Sequence, residues 1–215
     1  MIGKMDQKQK ELLRKSFHFL SILVPISYRY IFHSKKQISL QILLVLAIVA
    51  ISVEYFRLEN KTFRKLFYTV FGVMLRRHEI YNLSGASFLL TSAIFCIAFY
   101  PPDIAFLSLC FVSIGDIFAA LIGISFGKRK FTFAKKSLEG SIACFVSTFT
   151  LALFYIHPII AFLGSLGATV AEAVNLPIDD NVRIPVFSGF VMIITYFFTL
   201  ENINVSQTFY RLFFR

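Results

Sequence analysis

The fold is decided by the stretch DIAFLSLCFVSIGDIFAALIGI, residues 103–124. Its only charged residues are Asp103, at its start, and Asp116, in its second half. A helix that crosses the hydrocarbon core of a bilayer needs about 20 mostly apolar residues. This stretch therefore predicts a membrane-spanning helix.

The rest of the chain has the composition of a membrane protein. Of its 215 residues, 57% are hydrophobic and 16% are charged, and the mean hydropathy is +0.71. A soluble domain has roughly a quarter of its residues charged. The composition excludes a disordered chain, a collagen-like repeat and a secreted disulfide scaffold.

Seven apolar stretches are long enough, or nearly so, to cross a bilayer. They cover residues 16–33, 38–56, 84–101, 103–124, 140–157, 158–174 and 184–201. No internal repeat or low-complexity linker divides them. We therefore expect a single all-α integral membrane domain over residues 1–215, with about seven membrane-spanning helices.

The basic residues predict how the chain is oriented, because Lys and Arg accumulate in short cytoplasmic loops. With the N-terminus inside, seventeen of these residues are cytoplasmic and five are outside. The cytoplasmic segments are then a basic arm (1–15), a loop with an interfacial helix near 64–75 (57–83), a basic loop (125–139) and an acidic loop (175–183). An odd number of spans places the C-terminus outside. We expect a multi-pass protein of the cell's inner membrane whose active site faces the cytoplasm.

The net charge of +10 does not indicate a nucleic-acid partner, because the basic residues flank apolar stretches instead of forming one compact face.

Asp116 is the clearest candidate for a functional residue, because a bilayer disfavours a carboxylate that lacks a partner. Gly115, Ala119, Gly123 and Gly127 recur every four residues beside it and predict close packing against another helix. The sequence shows no evident ion-pair partner for Asp116, so neutralisation or a metal ion is expected. A structural ion pair is the alternative.

The basic loop and the start of the fifth apolar stretch predict a phosphate site. Basic side chains, small residues and the unpaired N–H groups of a helix N-terminus come together there. A loop whose charge only fixes topology is the alternative, and the spacing is not that of a P-loop. The candidate phosphate contacts are Lys128, Lys135, Lys136, Ser137, Glu139 and Gly140.

Acidic residues follow near the end of the sixth stretch, at Glu172, and in the acidic loop, at Asp179 and Asp180, which precede Asn181. Carboxylates together with substrate phosphates are the usual ligands of Mg²⁺. We expect Asp116, Asp179 and Asp180 to bind the metal. Ordinary turn chemistry is the alternative for the paired aspartates.

Two further signals lie at the inner membrane boundary. Arg14 and His18 share one helical face beside Lys15, and they could grip a phosphate or a lipid head group. A snorkelling anchor is the alternative. Glu54, which precedes Arg57, is expected to form an ion pair at a helix end.

The sequence motifs around these candidate residues, in the order in which they occur along the chain, resemble those of the CTP-dependent lipid-alcohol kinases. This family includes dolichol kinase, phytol kinase and the CTP-using diacylglycerol kinase. The strongest blocks are Gly115-Asp116-x-x-Ala119-Ala120-x-x-Gly123-x-x-Phe126-Gly127 and Lys135-Lys136-Ser137-Leu138-Glu139-Gly140-Ser141. Arg14-Lys15-x-x-His18, Ser84-Gly85-Ala86 and the residues from Glu172 to Asn181 extend the resemblance over most of the chain. The Lys-Ser-x-x-Gly element is also similar to one in phosphatidate cytidylyltransferases.

The resemblance implies a kinase that transfers the terminal phosphate of CTP to the hydroxyl of a membrane lipid alcohol, with Mg²⁺ as cofactor. Asp116, Glu172 and Asp180 are then the candidate catalytic residues. Arg14, Lys15, His18 and Asn181 join the basic loop as nucleotide contacts.

Two other functions stay open, as does a homodimer. A cytidylyltransferase would use the same nucleotide but release pyrophosphate. A small transporter or lipid-binding membrane protein would use the intramembrane acids to bind ions.

Overall fold

A computed structural model of the chain describes residues 13–16, 18–72, 75, 77–129 and 136–199. Nearly all of these residues are helical. The predicted all-α class is therefore confirmed for the part of the chain that the structure describes.

The first apolar stretch is an irregular helical segment. It contains a 3-10 turn (Leu20–Ile22), a short helix α1 (Leu23–Ile26) and a π-helical turn (Ser27–Ile31). Pro25 lies inside α1, and proline has no N–H group with which to continue a regular helical ladder. The described residues that precede the 3-10 turn, 13–16, 18 and 19, are also helical. We call the described residues from 13 to 31 the first segment.

Seven further α-helices follow within the described residues. They are α2 (Lys36–Glu59), α3 (Lys61–Phe71), α4 (Gly85–Phe99), α5 (Pro102–Phe126), α6 (Leu138–Leu153), α7 (Pro158–Ala173) and α8 (Asp180–Thr199). A 3-10 turn, Arg77–Ile80, lies between α3 and α4.

Local sequence explains where several helices begin. The side chains of Asn60 and Ser137 accept hydrogen bonds from N–H groups in the first turns of α3 and α6, as N-cap residues do. Pro102 and Pro158 are the first residues of α5 and α7, where a missing N–H group costs nothing.

Helix α5 is the centre of the structure, since it packs against α4, α6, α7, α8 and the first segment. In its most apolar window 72% of the residues are buried, compared with 17% in α2. The outer helices expose large apolar side chains, including Ile48 at 65% and Phe198 at 73%. Such apolar outer faces suit contact with lipid.

Three helices, α2, α5 and α8, are long and apolar enough to cross a membrane. Helices α4, α6 and α7 are also apolar but shorter. Six of the seven predicted stretches thus correspond to apolar helices, three long and three shorter, and the first corresponds to the irregular segment. Seven crossings and the orientation of the termini stay predictions.

The interfacial helix predicted near 64–75 corresponds to α3, which begins and ends earlier than expected. Phe63, Phe67 and Phe71 form a stripe along it, with ring centroids 6.4 Å and 4.9 Å apart. Arg57, at the end of α2, lies over the ring of Phe67 at 5.6 Å. This stripe reaches the region where the candidate functional residues gather.

Candidate functional site

Asp116 forms an ion pair with Lys15 in the interior of the structure. The Asp116 side chain is only 6% exposed, and Nε2 of His18 lies 3.6 Å from its second carboxylate oxygen. The expectation that Asp116 has no ion-pair partner is therefore wrong. The sequence did not reveal the partner because Lys15 belongs to the first segment, which reaches α5 only through tertiary packing.

A cavity of about 320 Å³, here called the polar cavity, opens beside this ion pair. Its walls come from the first segment, α5, the start of α6, the end of α7 and the start of α8. Three basic and three acidic residues line it, namely Arg14, Lys15, Lys136, Asp116, Glu172 and Asp180. Ser137, Gly140 and Ser141 line it from the start of α6, and Gly123 lines it from α5. The structure thus gathers at one cavity most of the residues that the sequence predicted.

Lys136 is held between two carboxylates of the polar cavity. Its Nζ atom lies 2.7 Å from Oε1 of Glu172 and 3.5 Å from Oδ2 of Asp180, and it donates to the Glu172 carbonyl at 2.6 Å. Burial acts to lower the pKa of Lys136, but these two carboxylates outweigh burial and hold the pKa above its ordinary value. Lys136 therefore carries its positive charge throughout the neutral pH range.

Two buried oxygen atoms in the polar cavity make no hydrogen bond to any described residue. They are Oγ of Ser141, in the first turn of α6, and Oε2 of Glu172. The two residues are only 6% and 3% exposed. Buried polar atoms usually have partners, so these two atoms indicate where a ligand or cation would contact the protein.

The start of α6 lies against α5 with almost no side chains between the backbones. A Cβ atom on Gly140 would lie 2.7 Å from the carbonyl oxygen of Ala119, and one on Gly123 would lie 3.0 Å from Oγ of Ser137. The prediction that the glycines and alanine beside Asp116 allow close packing is confirmed. This contact places the N-terminus of α6 at the polar cavity.

The other residues predicted around the basic loop are placed differently. Lys128 is exposed and does not line the polar cavity. Both carboxylate oxygens of Glu139 accept from the N–H of Arg129, at 3.3 and 3.4 Å, so Glu139 fastens the loop to α6. Lys135 lies outside the described residues, and its predicted phosphate contact stays a prediction.

The two aspartates of the acidic loop have different surroundings. The side chain of Asp179 accepts from the N–H of Asn181 at 2.9 Å, which is the turn chemistry named as the alternative. Asp180 lines the polar cavity and pairs with Arg183. No group of three or more His, Cys, Asp or Glu residues that could hold a metal ion occurs among residues 13–16, 18–72, 75, 77–129 and 136–199. The metal roles of Asp116, Asp179 and Asp180 stay predictions.

A second cavity, of about 330 Å³, is also lined by the Lys15–Asp116 pair. We call it the apolar cavity, because α3 and α4 line it with Phe67, Phe71 and Leu89. Arg14, Lys15 and Asp116 line both cavities, whereas His18 and Asn181 line only this one. The sequence did not predict this cavity.

Sequence reasoning assigned Arg57 only to topology and to an ion pair. Arg57 is fully buried and binds Oε2 of Glu54 through Nε at 2.8 Å, so the ion pair predicted for Glu54 is confirmed. It also donates to the carbonyls of Glu79 and Asn82 at 2.7 and 2.6 Å. Arg57 thereby shapes the loop that leads into α4 and the apolar cavity.

Arg183 performs the same task for the acidic loop. It donates to the carbonyls of Ala171, Leu176 and Ile178 at 2.6, 3.3 and 3.3 Å. The sequence position of each arginine could have indicated this role. Each lies beside a loop, and the buried carbonyl groups of a loop need hydrogen-bond donors.

Asn181 connects α8 to the start of α4. Its Nδ2 atom donates to the carbonyl of Gly85 at 3.1 Å. A Cβ atom on Gly85 would lie 2.8 Å from the same Nδ2 atom. This close contact explains why a glycine suits the Ser84-Gly85-Ala86 block.

Comparison with known proteins gives one family and several relatives. The sequence model of a family described as "Cytidylyltransferase family" matches residues 2–206. The chain is 28% identical over 195 residues to an uncharacterised protein of Rickettsia prowazekii, covering 85% of this chain and 93% of the relative. It is 29% identical over 209 residues to CTP-dependent diacylglycerol kinase 1 of Saccharomyces cerevisiae, covering 84% of this chain and 66% of the relative.

A third relative, probable phytol kinase 1, chloroplastic, of Oryza sativa subsp. japonica, is 37% identical over 100 residues. That match covers 38% of this chain and 32% of the relative. The chain thus spans just under two thirds of the yeast kinase and about a third of the rice protein. No solved structure gives a significant match.

Proposed function

Since this chain belongs to the cytidylyltransferase family, and its relatives include proteins named CTP-dependent diacylglycerol kinase and probable phytol kinase, we propose that it is a CTP-dependent lipid kinase. It transfers the terminal phosphate of CTP to the hydroxyl group of a membrane lipid alcohol. The proposal needs one chain only, because the residues that it uses line cavities within a single copy.

The polar cavity is the observation that carries this proposal. Arg14, Lys15 and Lys136 bring three positive charges to it, and α6 directs its N-terminus toward it. The N–H groups of a helix N-terminus and nearby cations suit phosphate oxygens. Ser141 Oγ and Glu172 Oε2 add two buried polar atoms that no described residue satisfies. We assign the phosphate chain of CTP to this cavity.

Mg²⁺ fits the donor set of the same cavity. Asp180 and the unsatisfied oxygen of Glu172 are hard oxygen ligands, and magnesium commonly completes its coordination with substrate phosphates and water. When bound, the ion would offset charge on the phosphates. Asp180 and Glu172 would hold it, with Asp116 as the third candidate ligand.

The position of Asp116 supports a part in the acceptor chemistry. Among the described residues it is the only carboxylate that lines both cavities. In the reaction, the lipid hydroxyl oxygen attacks the terminal phosphorus of CTP. A new O–P bond forms, the bond to the bridging oxygen of the β-phosphate breaks, and CDP leaves with that electron pair. We assign the acceptance of the hydroxyl proton to Asp116.

A cytidylyltransferase is the second candidate, favoured by the family description itself. One product assay separates the two. The purified chain is reconstituted in bilayers with Mg²⁺, a panel of diacylglycerol, phytol, polyprenol and phosphatidate, and CTP labelled at either the α- or the γ-phosphate.

We expect the γ-label on the lipid and the α-label in CDP. Pyrophosphate release with phosphatidate, and the α-label on the lipid, would establish the cytidylyltransferase activity instead. If no lipid supports nucleotide turnover, the transporter or lipid-binding function is favoured. The matched control for the phosphate donor is the same assay with ATP in place of CTP.

A further inference from the structure

The apolar cavity has two chemically different sets of walls. Phe67, Phe71 and Leu89 supply hydrocarbon surface from α3 and α4. Arg14 and Asp116 supply charge from the first segment and α5. A cavity with this division suits an amphiphile, whose apolar and polar parts each meet a matching surface.

The polar end of this cavity is also a wall of the polar cavity. Because Arg14, Lys15 and Asp116 line both, a hydroxyl group placed against them would lie next to the site assigned to the phosphates. A molecule bound in the apolar cavity therefore has one end at the reaction and the other among phenylalanine side chains.

Helix α3 places the phenylalanine wall where lipid can reach it. Leu66 and Val70 are each 62% exposed on its outer surface, whereas Phe67 is half-buried. A basic helix with such apolar side chains lies in the membrane interface. The guanidinium of Arg57 over the Phe67 ring at 5.6 Å holds this helix against α2.

We propose that the apolar cavity is the binding site of the acceptor lipid alcohol, with its hydroxyl group toward Asp116 and its hydrocarbon chain along Phe67 and Phe71. This assignment rests on the proposed function for the identity of the occupant. In this assignment α3 is part of the lipid-binding site as well as an interfacial helix, since it forms the wall along which the lipid enters.

The first test separates the two substrates by kinetics. Phe67→Ala removes part of the hydrocarbon wall, and we expect the KM for the lipid alcohol to rise about tenfold, with the KM for CTP unchanged. Phe63→Ala is the matched control, because Phe63 lies one turn earlier on the same stripe but does not line the cavity. A rise in both KM values, or the same rise for both variants, would contradict the assignment.

The second test measures binding without turnover. The chain contains no tryptophan, so Phe71→Trp introduces a single tryptophan beside the cavity, which can be excited selectively over the tyrosines. A diacylglycerol and a polyprenol, each brominated in its hydrocarbon chains, are titrated at low mole fraction into reconstituted bilayers. We expect saturable quenching by at least one of them. The unbrominated alcohol should compete, and its methyl ether, which lacks the hydroxyl group, should compete poorly.

Phe154→Trp is the control for general lipid contact, because Phe154 is 80% exposed at the end of α6. It should show only quenching that grows in proportion to the brominated lipid. Saturable quenching of the Phe71→Trp variant without any CTP turnover would support the lipid site and overturn the proposed function. CTP turnover without saturable quenching, and with normal kinetics of Phe67→Ala, would overturn the lipid site and leave the kinase assignment standing.

Discussion

Asp116 and Lys15 show how one charged residue is accommodated inside an apolar helix. The carboxylate lies beside a lysine from another part of the chain, and both side chains are buried. The sequence identified both residues as functional candidates. It could not show that they form a pair, because that depends on how the first segment packs against α5.

This pair predicts that Asp116→Asn has two effects. We expect loss of CTP turnover, because the variant lacks the carboxylate next to both cavities. We also expect a free energy of unfolding lower by about 3–5 kcal/mol, because the Lys15 ammonium would stay buried without its partner. Turnover assays and denaturant unfolding in detergent measure the two effects.

The double substitution Lys15→Met with Asp116→Asn is the control. It removes both charges, so stability should return toward that of the unmodified chain while turnover stays absent. Normal turnover of Asp116→Asn would remove this residue from the reaction.

Lys136 is the basic residue that contacts both Glu172 and Asp180 in the polar cavity. Lys136→Ala should weaken CTP binding about tenfold or more, the effect of one charge-assisted contact to phosphate. Equilibrium binding of CTP is the measurement. Lys35→Ala is the matched control, because Lys35 is an exposed lysine at the start of α2. An equal loss in both variants would mean that only the total positive charge matters.

At the scale of elements, the contact between α5 and α6 determines where the polar cavity opens. The recurrence of small residues predicted that contact, because small side chains at intervals of four residues form one helix face. The sequence could not predict that α6 is the helix that packs there, or which part of α5 it contacts. Both depend on where α6 begins, at the Ser137 cap.

Two glycines in this contact should respond differently to alanine. Gly140→Ala forces a Cβ atom to within 2.7 Å of a backbone carbonyl of α5, so the helices must separate. Gly123→Ala places its Cβ atom 3.0 Å from the Ser137 hydroxyl and 3.7 Å from Cα of Gly140, and the longer distance is an ordinary van der Waals contact. Alanine also gains up to about 1 kcal/mol of helix propensity over glycine. We expect Gly140→Ala to lower thermal stability and nucleotide binding, and Gly123→Ala to change stability little. Equal losses of stability in the two variants would show that the different distances between α5 and α6 at these positions do not determine the effect of alanine.

For the whole molecule, apolar stretches in the sequence were enough to locate six of the described helices, because hydropathy along a chain is a one-dimensional property. The two cavities were not predictable in that way. Their walls join the first segment to α3, α4, α5 and the later helices, and no spacing in the sequence reports such contacts.

Sidedness can be tested with thiol labelling. The three natural cysteines, Cys96, Cys110 and Cys144, are buried, so they should react little with a membrane-impermeant maleimide. Lys128→Cys and Lys35→Cys each add one exposed thiol. With the N-terminus inside, the first should label only from the cytoplasmic side and the second only from outside. Labelling of both from one side would contradict the predicted crossings between them.

The wall shared by the two cavities also has a consequence for the order of kinetic events. A phosphoryl group that moves directly from one bound substrate to the other requires both to be present at once, and no phosphorylated form of the protein has to exist between them. Double-reciprocal plots at several fixed concentrations of lipid should therefore intersect, and labelled CDP should not exchange into CTP when lipid is absent. Parallel lines with such an exchange would mean that the chain itself carries the phosphate in a ping-pong cycle.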